Sequence, residues 1–128
     1  MAKLLLDTWA LLEILAKGPR FHKVKAAIAG KELYTTTANL YEAWYRLEEE
    51  NGAEKADEGA RIISMETMVL AIEARVALRA AKLRKKLKAI NKDLGAIDII
   101  TYAAADAIGA TLLTGDPDFK GVSGVIQF

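Results

Sequence analysis

The acids Asp7, Glu42, Asp98, Asp116 and Asp118 fall at telling places in this 128-residue chain. Asp7 closes an apolar run at residues 3–6. Glu42 lies one to two turns into a helical pattern that follows the β-branched and aromatic run at 32–36. Asp98 opens the alanine-rich segment DIITYAAADAIG, and Asp116 and Asp118 lie in GDPDF directly after the run 110–114. Each acid has an ordinary explanation when taken alone. Asp7 suits a helix cap or a turn, Glu42 a solvated helix face, and Asp116 and Asp118 are good turn formers. Asp98 is the least ordinary, because Ile97, Ile99, Ile100, Ala103 and Ala104 surround it and aspartate is a poor helix former. Only their joint placement is persuasive. Carboxylates held within several ångströms repel one another and raise their pKa values, so a cluster is costly unless a cation sits among them. The chain has no cysteine and one histidine, and that His22 lies on a lysine-rich stretch without a companion ligand. Oxygen donors alone select Mg²⁺ or Mn²⁺ over zinc or copper, and such ions bind substrate phosphates directly, so phosphoryl chemistry is the natural inference.

The elements that must bring these acids together follow from periodicity. Residues 3–6, 32–36, 110–114 and 122–128 read as short strands. Between them lie helical patterns. Thr8 caps the first, which stops at Gly18-Pro19; others run over 20–29, 39–50 and 53–63. A long pattern runs from 66 to about 90 through Leu70, Ala74, Ala77, Ala81 and Leu87, and the last runs from Asp98 to the cap Gly109. Strands separated by helices pair in parallel through right-handed crossovers, which predicts a three-layer α/β/α sandwich with a mainly parallel central sheet, in one domain over 1–128. In such a sheet the carboxyl ends of the strands frame the ligand crevice, and the acids fall at that edge.

Composition narrows the function classes. A chain of this length can bury about two thirds of its unfolded surface without metals or disulfides. The absence of cysteine excludes a disulfide framework and fits the cytoplasm, and no apolar run reaches the ~20 residues of a spanning helix. Net charge is only +1, against a uniformly basic nucleic-acid binder, but the charges are segregated. Residues 48–58 are mostly acidic. The stretch 75–92 carries Arg75, Arg79, Lys82, Arg84, Lys85, Lys86, Lys88 and Lys92 and no acid. Like charges at i,i+3 and i,i+4 each cost an isolated helix roughly 0.2–0.5 kcal/mol, so something outside the helix should offset them. RNA phosphates meeting Arg84, Lys85, Lys86 and Lys88 are one expectation. A solvated face, or pairing with the acidic segment within the molecule or across a dimer, is the other.

DTWALLEIL at 7–15, TTTANLYEAW at 35–44 and DIITYAAADAIGATLLTGDPDF at 98–119 together resemble the PIN-domain ribonucleases, specifically the toxins of VapBC-type toxin–antitoxin pairs. The resemblance spans nearly the whole chain, and its last motif is the most specific. It implies a metal-binding set of Asp7, Glu42, Asp98 and Asp116, with Asp118 as a frequent additional acid and Thr8 and Thr114 as neighbouring hydroxyls. It also implies one or two Mg²⁺ or Mn²⁺ ions that activate a water for in-line attack on an RNA phosphodiester. The implied partners are RNA, a second copy of the chain, and a small antitoxin whose basic tail enters the acidic cleft. Trp9 departs from the family, which more often has a small polar residue there, and Gly115 stands where a longer side chain is common.

Most of Tyr41, Trp44 and Tyr45 should be core, and any left exposed would suit a partner. Rival readings are a non-catalytic PIN-like or receiver-like Mg²⁺-binding module and a haloacid-dehalogenase-type phosphatase. The phosphatase needs a second Asp where this chain has Trp9. The receiver needs adjacent acids after the first strand and a lysine where Thr114-Gly115-Asp116 stands.

Overall fold

The computed structural model describes residues 1–128. Strand β1 (Lys3–Leu6) leads into helices α1 (Thr8–Leu15) and α2 (Phe21–Ile28), then β2 (Glu32–Thr36), α3 (Thr37–Asn51) and α4 (Ala53–Glu66). The chain continues through β3 (Met68–Leu70), α5 (Ala74–Ile90), α6 (Ala96–Ile108), β4 (Thr111–Thr114), a 3₁₀ turn (Pro117–Phe119) and β5 (Val125–Gln127). The sheet has five strands in the order β3-β2-β1-β4-β5. Every pairing is parallel, with Leu4 opposite Leu33 and Leu5 opposite Leu112. No helix is long and apolar enough to cross a membrane.

The alternation of a strand divides the core in two. Leu5 and Leu112 face α5 and α6, packing with Val76, Ala80, Leu87, Ile99 and Ala103. Leu4, Leu6 and Leu113 face the other way, against Ala10, Leu11, Val24, Ala43 and Ile63. A leucine as fully buried as Leu5 contributes about 1.5–3 kcal/mol. Two helical layers on one parallel sheet make the expected sandwich.

The pattern at 66–90 is not one helix. Helix α4 runs on to Glu66, the Thr67 hydroxyl donates to the Ile63 carbonyl at 2.7 Å, and Met68–Leu70 pairs with β2 as a fifth strand before α5 begins at Ala74. Leu70 fits a helical period with Ala74, but the free edge of β2 offers hydrogen bonds that the tertiary context rewards over propensity. The last strand is also shorter than 122–128, covering Val125–Gln127. Tyr41, Trp44 and Tyr45 are exposed at 63%, 41% and 38% rather than core, because Leu40, Ala43 and Leu47 supply the inward stripe of α3. Ala103, Ala104 and Ala105 are buried against the sheet as their size suggests, but Ala107 is exposed.

Candidate metal centre

Each acid reaches the sheet edge by its own local logic. Asp7, not Thr8, is the N-cap of α1. One carboxylate oxygen accepts from the Ala10 N–H at 2.9 Å and the other from the Thr114 hydroxyl of β4. The cap reading of Asp7 and a role in the site are therefore compatible. Glu42, Arg46 and Glu50 project at i, i+4 and i+8 from one side of α3 and line the same cleft. Asp98 is the third residue of α6, and its carboxylate reaches back to the Gly95 N–H at 2.9 Å, satisfying a donor that the helix start leaves open. Asp116 caps the 3₁₀ turn by accepting from the Asp118 N–H at 2.9 Å, while its own N–H donates to the Thr114 hydroxyl at 3.0 Å. Asn91, just past α5, holds Asp118 by donating to its carbonyl at 3.1 Å.

Asp7, Thr8, Glu42, Asp98 and Asp116 line one cleft of about 530 Å³. Carboxylate oxygens of Asp98, Asp116 and Asp118 lie within 4.8 Å of one another. Asp118 thus joins the group, although it does not line the cleft wall, and Thr114 sits behind it, fully buried. The lining acids Asp7, Glu13, Glu42, Glu50, Asp98 and Asp116 face a single guanidinium, that of Arg46.

The electrostatics follow from burial. Desolvation pushes the Asp7 carboxyl up from 3.8 to about 7, against the Thr114 and Ala10 hydrogen bonds that favour its charge; the charges of Asp116 and Asp98 push the same way as burial. Half-buried Asp98 is also raised, first by desolvation and then by Asp116, Glu42 and Asp118, while the Gly95 N–H opposes. A set of hard oxygens that raise one another's pKa and lack a compensating base fits a divalent cation such as Mg²⁺ or Mn²⁺, whose oxygen contacts run about 2.0–2.2 Å.

A buried polar network behind the cleft was not legible in the sequence. Asn39 donates to the Thr8 hydroxyl at 3.1 Å and accepts from Thr36 at 2.6 Å and Thr101 at 3.1 Å, joining α1, β2, α3 and α6. Only its reciprocal cap with Thr36, with the Asn39 N–H donating to the Thr36 hydroxyl at 3.1 Å, had a local signal in TTTAN. Trp9 and Gly115 belong together: a Cβ on Gly115 would collide with atoms of the Trp9 ring, so the glycine makes room for the indole. The ridge residues Arg84, Lys85 and Lys86 are exposed, and Lys88 is half-buried. The salt bridges join Arg75 to Glu73 and Arg79 to Asp106, so the basic ridge does not pair with the acidic segment 48–58 inside the molecule. His22 packs edge-on against Phe21, away from the site.

Comparison with solved structures finds the same fold in VapBC2 of Rickettsia felis bound to a promoter DNA fragment, with TM-score 0.78, 19% identity, and 98% of this chain and 97% of that chain covered. VapC20 of Mycobacterium tuberculosis, a sarcin-ricin loop cleaving toxin, is similar at TM-score 0.76 and 20% identity, with 98% of each chain covered. FitAcB of Neisseria gonorrhoeae is similar at TM-score 0.74 and 21% identity, with 98% of this chain and 96% of that chain covered. No curated protein sequence matches the chain. A family model described as PIN domain matches residues 4–125. With that match running from β1 to the start of β5 and including every acid of the cleft, the chain belongs to the PIN domain family.

Proposed function

We propose that this protein is a Mg²⁺- or Mn²⁺-dependent endoribonuclease and the toxin of a toxin–antitoxin pair, acting in the cytoplasm as one nuclease domain. The observation that carries the reading is the convergence of Asp98, Asp116 and Asp118 within 4.8 Å, beside buried Asp7 and half-buried Glu42, in a cleft with one cation. When bound, the metal supplies Lewis acidity and a water of lowered pKa. Asp98 at the start of α6, Asp116 after β4 and Asp118 would hold it, and Asp7 and Glu42 would complete the acidic set. Thr114 and the Ala10 N–H orient the Asp7 carboxylate, and Asn39 fixes Thr8 beside it.

An acidic cleft repels RNA unless cations offset it, and the ridge of Arg84, Lys85, Lys86 and Lys88 on α5 serves that end. The ridge leads to Asn91, which touches Asp118 at the site's edge. The uncompensated acids of the cleft equally suit the basic tail of an antitoxin, and the neighbours VapBC2 and FitAcB support such a partner. The exposed Tyr41, Trp44 and Tyr45 face of α3 suits a second copy of the chain. Purified protein incubated with RNA and Mn²⁺ or Mg²⁺, beside an EDTA control and Asp98→Asn, tests the reading. Cutting that needs the metal and Asp98 supports it; metal binding without cutting turns the reading to a non-catalytic module.

A further inference from the structure

We propose that Trp9 is a stacking platform for a base of single-stranded RNA entering the cleft; the proposal rests on the ribonuclease reading and adds the feature of the substrate that the cleft grips. Trp9 is in the first turn of α1, two residues from Asp7, and its half-buried ring lines the cleft that Asp7, Asp98 and Asp116 share. Two neighbours hold the ring. Its six-membered ring covers Gly115, the residue between Thr114 and Asp116, so closely that no side chain fits there. Phe128 stacks on it with ring centroids 6.3 Å apart and planes 14° from parallel, and Phe128 is itself anchored by its N–H donating to the Thr114 carbonyl at 2.9 Å.

The polar end of the indole is free. The N–H of Trp44 donates to Asp57 at 3.0 Å, whereas that of Trp9 has no protein acceptor and is not buried. The ring is thus held beside a carboxylate cluster with its donor unpaired. A flat aromatic held in place suits a base, because every base has a π-face and stacking costs the protein little when the ring is already immobile. The acids would hold the phosphate through the metal, and Trp9 would hold the adjoining base. Duplex RNA, whose bases are stacked on each other, could not use it.

The test uses the full chain with Trp44→Phe, so that Trp9 is the only tryptophan, and Ca²⁺ in place of Mg²⁺ to retain oxygen ligation while slowing turnover. The probes are a short oligoadenylate and an abasic ribose-phosphate strand of equal length and charge. Oligoadenylate should quench Trp9 emission and bind about 5- to 150-fold more tightly than the abasic strand, the range expected for one stacked base. Trp9→Ala should lose most of that preference, and Trp9→Phe should keep most of it; a merely structural role would alter both variants' melting and neither's preference. An unquenched emission at saturating oligoadenylate, or the same preference in Trp9→Ala, overturns the proposal. Cleavage in Mn²⁺ is read separately. Quenching without cleavage sinks the nuclease reading and leaves a base-stacking RNA site, cleavage without quenching sinks only the role of Trp9, and failure to bind either strand sinks both.

Discussion

Replacing Asp7 by asparagine should make the metal-free protein more stable and less active, by an amount that depends on pH. Asp7 is 6% exposed, and burial raises its carboxyl from 3.8 to about 7. The folded chain therefore holds this proton more tightly than the unfolded one. Well below pH 3.8 the group is neutral in both states and its burial adds no charge penalty. Between 3.8 and about 7 the unfolded chain has released the proton while the folded chain keeps it, so stability falls as pH rises, by up to about 1.36 kcal/mol per pH unit. Above about 7 the whole difference stands as a cost of about 4 kcal/mol, a large part of the roughly 5–15 kcal/mol that holds a typical domain together. The asparagine would keep the cap through its amide oxygen to the Ala10 N–H, and the Thr114 hydroxyl can turn to accept from its amide. Urea unfolding in EDTA should thus show Asp7→Asn close to the wild type at pH 4 and up to about 4 kcal/mol more stable at pH 8. Mg²⁺ at a hundred times its Kd should restore about 2.7 kcal/mol to the wild type and much less to the variant, which lacks the charge that the ion neutralises. RNA cutting by the variant should be lost. Parallel pH curves for the two proteins in EDTA would mean instead that the Asp7 carboxylate is not a buried charge awaiting a cation.

Asn39→Ala should cost about 1–3 kcal/mol by chemical denaturation, since it takes the donor from the buried Thr8 hydroxyl and the acceptor from the buried Thr36 hydroxyl, while Thr101 still donates to the Ile97 carbonyl at 2.6 Å. Gly115→Ala should cost about 1–3 kcal/mol through overpacking against Trp9, and the cost should shrink clearly in a Trp9→Leu background, as a double-mutant cycle would reveal. Changing Lys85, Lys86 and Lys88 together to glutamine should lower the salt slope of RNA binding by up to about 2, at about 0.7 for each phosphate no longer neutralised; an unchanged slope would remove the ridge from the RNA path. Asp106→Ala, which breaks the exposed pair with Arg79, should cost less than about 1 kcal/mol and leave activity unchanged.

The sandwich and its acidic edge were legible because local rules and the tertiary outcome agree. Runs such as Lys3–Leu6 and Thr111–Thr114 are apolar enough for the middle of a parallel sheet, and Asp7 and Asp98 each stand where a helix begins. Met68–Leu70 was hidden because three residues carry too little periodicity to outweigh a helical pattern on both sides. Asn39 was hidden for a different reason: its partners Thr8 and Thr101 are 31 and 62 residues away, and only the closed fold brings those distances together. The stripe Tyr41, Trp44 and Tyr45 misled because aromatic residues at helical spacing signal burial, whereas in this fold Leu40, Ala43 and Leu47 are the residues of α3 that turn inward. Trp9 and Gly115 read as two separate departures from the family pattern, since their complementarity exists only where α1 crosses the end of β4.

In the proposed reaction a metal-activated water, not the ribose 2′-hydroxyl, would attack the RNA phosphodiester. Identifying the chemical ends left on RNA by the purified protein tests it most directly. Products with 5′-phosphate and 3′-hydroxyl ends, formed with Mg²⁺ or Mn²⁺ and absent with EDTA or Asp98→Asn, are the predicted result. Products ending in 2′,3′-cyclic phosphate, or cutting that survives EDTA, would contradict it.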